Sequence, residues 1–172
     1  MIEVVDIAGN VLRTCNYHVA FENRLLKKCV HVLIFNSEGE ILLEFRKPDR
    51  RFFPSHWNSS AAGFVAVGES ELEAAKRELK EELGVEAELH FVEKFIIDKA
   101  GDYCIDYFFV GLHDGPFQCN EAEKTQFFKP SDAKHLKITP QLQLELCLFG
   151  KHNLCPMVQK IPVLSCGKVL KV

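Results

Sequence analysis

The 172-residue chain contains no apolar run approaching the roughly 18 residues of a membrane-spanning helix, so an integral membrane protein is not expected. Its first residues, Met1-Ile2-Glu3-Val4-Val5-Asp6, carry acid where a secretory signal carries base, which predicts a cytoplasmic location. Positive charge is not in excess: 21 Lys and Arg stand against 24 Asp and Glu, for a formal net charge of -3. Without a basic field there is no general grip on a nucleic-acid backbone, and duplex binding is not predicted. The seven cysteines are odd in number and widely spaced, with no Cys-x-x-Cys pair. Their spacing gives neither a disulfide framework nor a zinc site, and predicts mostly buried, reduced thiols. The seven histidines include no close pair, which leaves a transition-metal centre unsupported. Internal repeats and low-complexity linkers are also missing. What is present, 47% hydrophobic and 26% charged residues, is ordinary for a single globular domain spanning 1–172.

The first third alternates short apolar runs with turn residues. Glu3 to Ile7, a turn at Ala8-Gly9-Asn10, and Val11 to Phe21 read as a hairpin, making 1–28 an N-terminal extension. A stronger pair, Cys29 to Phe35 and Ile41 to Phe45, is joined by the polar loop 36–40 and predicts central strands. Further strands are expected at Ala87 to Ile97, Tyr103 to Leu112 and Gln126 to Phe128. Ser70-x-x-Glu73 is a capping box opening a helix that carries Leu72, Ala75, Leu79 and Leu83 and stops at Gly84. Thr139-Pro140 opens a second helix with Leu142, Leu146 and Phe149 as its apolar stripe. This order predicts a mixed sheet with helices in one α+β or α/β layer structure.

Acid is concentrated between Glu69 and Glu88, where eight Glu face Lys76, Arg77 and Lys80. At about 100° per residue, Glu71, Glu78 and Glu82 fall within about 40° of one another on the predicted helix, with Glu81 to one side. Like charges at this spacing repel, so the arrangement is either a solvated face or a seat for a cation. Hard carboxylate oxygens suit Mg2+ or Mn2+.

The spacing Gly63-x5-Glu69-x7-Arg77-Glu78-Leu79-x-Glu81-Glu82-x-Gly84-Val85 resembles the signature of the Nudix hydrolase superfamily at all nine specified positions. Coincidence in a chain of this length is on the order of one in ten million. The resemblance implies an α/β/α sandwich with a mixed central sheet, flanking helices and the 63–85 loop–helix at its centre. It also implies a Mg2+- or Mn2+-dependent enzyme that cleaves a pyrophosphate bond in a nucleoside diphosphate linked to another moiety. Glu78 and Glu82 would be the main metal ligands, with Glu81 assisting and the Ala62 carbonyl joining them. Arg77 would brace Glu69 against the helix, or else form an ordinary surface pair. The base that takes a proton from water would be Glu81 or a loop glutamate, Glu121 or Glu123. Gly63 and Gly84 would be structural.

Outside the signature, Arg46-Lys47-Pro48-Asp49-Arg50-Arg51 is either a solvated loop or a phosphate clamp, with Arg46, Arg50 and Arg51 as binding candidates. Phe52, Phe53, His56 and Trp57 either stack on a substrate or belong to the core. The segment from Phe53 to Gly63, with the N-terminal hairpin and Arg46, resembles the isopentenyl-diphosphate isomerase branch of the superfamily. Those isomerases place Cys and His on either side of the signature glycine, where this chain has Ala62 and Phe64, neither able to move a proton. A hydrolase on an isomerase-like scaffold fits better, and a non-catalytic nucleotide sensor is the other alternative. The expected partner is a small phosphorylated molecule. The 153–172 tail reads as an added strand or a contact in a homodimer, which is common in the family.

Overall fold

The computed structural model describes residues 1–99 and 102–152, so the 153–172 tail with Cys155 and Cys166 lies outside the described residues. Strand β1 (Ile2–Val5) pairs antiparallel with β2 (Val11–Cys15). The Asp6 carboxylate closes their turn by accepting from the Ala8 and Asn10 amides, both at 2.9 Å. The second strand is shorter than its sequence pattern predicts: it stops at Cys15, and α1 (Tyr17–Glu22) follows. Tyr17, Ala20 and Phe21 recur at helical spacing, and their burial explains the change. Ala20 is fully buried, while the Tyr17 and Phe21 rings lie 4.7 Å from Phe64 and 5.2 Å from Phe52.

Strands β3 (Lys27–Phe35) and β4 (Ile41–Phe45) form the predicted central pair. The Asn36 side chain organises their loop by accepting from the Glu38 and Glu40 amides. The aromatic stretch after the basic loop contributes two strands that periodicity did not announce, β5 (Trp57–Asn58) and β6 (Ala61–Phe64). Helix α2 (Glu71–Leu83) has the complete capping box at Ser70 and Glu73, and ends on Gly84 at φ 65°, where a Cβ would be strained. Then follow β7 (Leu89–Lys99), β8 (Asp102–Leu112), β9 (Lys124–Phe128), the short α3 (Pro130–Ala133) and α4 (Pro140–His152).

These strands make one nine-stranded mixed sheet. Strand β8 lies parallel to β3, with Cys29 opposite Asp106, and β7 pairs antiparallel with β8. Alternation along β3 serves both faces. Val30, Val32 and Ile34 pack with Ala74, Ala75, Leu79 and Leu83 of α2, while Leu33 and Phe35 pack with Leu142 and Leu148 of α4. The α/β/α sandwich is therefore as the sequence implies. Two positions differ from the expected stripes. Leu72 is 39% exposed, because the buried arc of α2 is centred on Ala75 and Leu79. On α4 Leu148 joins Leu142 in the core, and the Phe149 side chain lies outside the described residues.

This packing separates two leucines on one helix. Leu79→Ala should lower unfolding stability by about 2–5 kcal/mol in urea titration, and Leu72→Ala by less than about 1 kcal/mol.

Candidate active site

Docking of α2 through Leu79 and Leu83 turns Glu78 and Glu82 toward β6, whose partner along Cys29 to Val32 is the buried strand β3. Gly63 makes the approach possible. A Cβ there would fall inside the Glu78 carboxylate, so any larger residue must push that side chain aside. Arg77 organises the acids around it. Its Nε and Nη2 fork onto the two oxygens of Glu69 at 2.9 and 3.0 Å, and its Nη1 reaches Glu78 at 2.6 Å and Glu81 at 3.2 Å. Nη2 also donates to the Phe64 carbonyl, which ties β6 to the helix. Beside Arg77, the Glu69 carboxyl titrates below the usual carboxylate range, and Glu69 caps its own loop by accepting the Ala66 amide. Arg77 thus makes five hydrogen bonds, two of them to Glu69.

Glu82 is 8% exposed and accepts one hydrogen bond, from the Ala62 amide at 3.1 Å. Burial above all, then the charge of Glu44, pushes its carboxyl up to about 9, against the Ala62 bond. Burial also raises Glu78, outweighing its bond to Arg77. Glu121 adds to the repulsion at both. Four carboxylates, Glu44, Glu78, Glu82 and Glu121, therefore line one cleft of about 490 Å3. Their mutual repulsion in poorly solvated surroundings, and their hard oxygen donors, fit a bound Mg2+ or Mn2+.

The cleft also gathers Arg46, Arg50, Arg51, Phe52 and Phe53. Arg50 pairs with Glu121 at 3.0 Å, Arg46 donates to the Phe52 carbonyl, and the Arg51 guanidinium lies 3.8 Å from the Phe21 ring centroid. Phe53 is held in the left-handed region at φ 46°. Other sequence candidates fall elsewhere. Glu81 is 55% exposed and Glu123 is exposed, neither lining the cleft, and Glu71 turns away to Lys28 at 2.8 Å. Trp57 is a core residue, edge-on to Phe45 and Phe128.

Several site residues escaped the sequence reading. Glu44 sits in the apolar run of β4, buried, held by the Asn58 amide at 3.1 Å. Its signal was a lone acid inside a central strand. His31 likewise interrupts β3: its Nδ1 lies 3.1 Å from both Ser59 Oγ and Glu145 Oε1, and Ser59 donates to Glu145 at 2.7 Å. Burial disfavours its charge, yet Asp106 and Glu145 prevail and push His31 up to about 9. Tyr17 and His18 of α1 close the near wall. The cysteines depart from the expected pattern too: Cys29 and Cys104 are buried, Cys15 is intermediate, and Cys119 and Cys147 are exposed.

A family model described as the NUDIX domain matches residues 25–145. The chain belongs to the Nudix family. It is 30% identical over 135 residues to an uncharacterized Nudix hydrolase of Pseudomonas aeruginosa, covering 74% of this chain and 80% of that protein. It is 34% identical over 120 residues to the isopentenyl-diphosphate Delta-isomerase of Serratia proteamaculans, covering 67% of each. Among solved Nudix folds, that of Shewanella oneidensis NrtR, complexed with ADP-ribose, superposes with a TM-score of 0.65 at 13% identity. The match covers 81% of this chain and 99% of that one.

Two outcomes test the geometry. Gly63→Ala must displace Glu78, and should weaken Mn2+ affinity by at least about 10-fold in a metal titration. The raised Glu82 carboxyl means the folded, metal-free protein holds a proton that the unfolded chain releases near pH 4.5, so stability falls as pH rises from about 4.5 to about 9. Glu82→Gln keeps the shape without the charge, and should flatten that fall and stabilise the metal-free protein at pH 8 by about 1–3 kcal/mol.

Proposed function

We propose that this Nudix protein is a Mg2+- or Mn2+-dependent pyrophosphohydrolase acting on a nucleoside diphosphate linked to another moiety. The observation that carries this reading is the desolvated Glu78–Glu82 pair, Glu78 against Gly63 and Glu82 on the Ala62 amide, in the same cleft as Arg46, Arg50 and Arg51. Glu78 and Glu82 would hold the metal, with Glu81 and the Ala62 carbonyl assisting. When bound, the ion offsets the charge of the diphosphate and makes water a better nucleophile. Arg77 fixes the direction of Glu78, and the three arginines of the 46–51 loop grip phosphate oxygens. The Phe52 and Phe53 side chains, with Tyr17, offer ring faces to the group beyond the phosphates. Glu121, in the cleft, or Glu81, which shares Arg77 with Glu78, would take the proton from water. The reading places the protein in the cytoplasm, acting on a small phosphorylated molecule.

The kinship with an isomerase favours a second reading on the same scaffold. Ala62 and Phe64 oppose it, because isomerising an alkene needs a proton donor and an acceptor at those places. All the signature glutamates are present, which supports chemistry over sensing alone.

The test is a panel of nucleotide sugars, ADP-ribose and dinucleotides incubated with Mg2+ or Mn2+. Release of a mononucleotide is expected, with turnover rising between about pH 6 and 9 and falling at least about 100-fold in Glu82→Gln. A ligand bound but left intact would indicate a sensor. Conversion of isopentenyl diphosphate would indicate the isomerase.

A further inference from the structure

Behind the cleft, on the α4 side of the sheet, two strands bring together sulfur, carboxylate and imidazole. Cys29 Sγ lies 2.8 Å from Cys104 Sγ, although the residues are 75 positions apart. One oxygen of Asp106 completes a set of three ligand atoms, all within 4.8 Å of one another and all buried. His31 Nε2, two residues along β3 from Cys29, is 3.7 Å from Asp106 Oδ2. That imidazole adjoins Asp106 without joining the close set of three, so it borders the site and holds the carboxylate in place. Cys29 and His31 both also line the cleft, which gives an ion a way in.

We propose that Cys29, Cys104 and Asp106 form a three-ligand binding site for a borderline-soft divalent cation, Zn2+ being the best match. The site is separate from the carboxylate seat of Glu78 and Glu82. Its donor chemistry selects zinc: thiolate binds it well, whereas Mg2+ prefers oxygen alone. Charge is consistent. Zinc with two thiolates and one carboxylate carries a net negative charge, and the buried Lys27 stands opposite Cys104 on the same face. Binding releases the two thiol protons to solvent, so affinity rises with pH.

Register decides against the simpler outcome, a disulfide. Cys29 pairs with Asp106 and Lys27 with Cys104, so the thiols are diagonal across parallel strands. With strands about 4.8 Å apart and a two-residue step of about 6.6 Å, their Cα atoms stand about 8 Å apart. That exceeds the roughly 7 Å a disulfide spans without moving backbone. The thiols meet by reaching toward each other, and an ion bound between them would part their sulfurs to about 3.8 Å.

The site is tested on the full chain, freed of metal with a chelator and titrated with Co2+ and then Zn2+. The cobalt form should show thiolate charge-transfer absorption at one equivalent, bleached by zinc. Cys29→Ser and Cys104→Ser should each lower zinc affinity at least about 10-fold, while Cys147→Ser leaves it unchanged. Should a serine variant fail to fold, the absorption of the unaltered chain decides alone. Cobalt spectra without the thiolate band would overturn the proposal, as would zinc bound only at the cleft carboxylates, or a Cys29–Cys104 cross-linked peptide after mild peroxide in place of metal binding. None of these readouts needs turnover, so they stand apart from the hydrolase test.

Discussion

Like charges facing one another in a poorly solvated cleft are the condition to which the surrounding structure answers. Left alone, Glu44, Glu78 and Glu82 would separate or draw in water, since each pays for losing hydration without a full set of donors. They are held because other contacts are strong enough to hold them. Leu79 and Leu83 anchor α2 on the sheet, Arg77 fixes three glutamates and the Phe64 carbonyl, and the Ala62 amide secures Glu82. Local repulsion of this kind persists only where the rest of the fold over-determines the geometry, and it is a mark of a site built for a ligand.

The part of this arrangement carried by one continuous segment could be read directly from the chain. The capping box, the glutamate spacing and Gly84 are local features, and α2 forms where they place it. The same holds for the β3–β4 hairpin and for α4, whose Thr139 hydroxyl accepts the Leu142 amide. What escaped depends on partners distant in sequence. Strands β5 and β6 have too few residues for a period to show, and exist because β4 and β3 supply their pairing. Helix α1 looked like the end of a strand because its apolar residues also suit one. The rings of Phe52 and Phe64, some thirty to fifty residues away, decide the matter.

Glu44, His31 and Glu145 escaped for a related reason. Each lies within an apolar stripe, where an ionisable residue is usually at an exposed position or an irregularity of the pattern. Here they are buried beside polar partners: Asn58 donates to Glu44, and Glu145 from α4 meets His31 of β3 and Ser59. The cleft accordingly has two unlike walls. One is the carboxylate wall supplied by the signature, and the other is a hydrogen-bonded wall supplied by α4 and β5. Tyr17 and His18 add a third surface from outside the 25–145 family match.

The parallel seam between β3 and β8 bears on how the molecule is made. Every residue from Lys27 to Phe35 pairs with one between Cys104 and Leu112, so the seam cannot form until a long stretch of chain, including all of α2, has closed into a loop. Closing such a loop costs entropy before its contacts repay it, and sheets of this topology fold slowly for that reason. The α2 segment, with its own caps, can form early, but it acquires a surface to lie on only when the distant strands meet. The assembled cleft in this chain should therefore appear late in folding, together with the closing of the sheet.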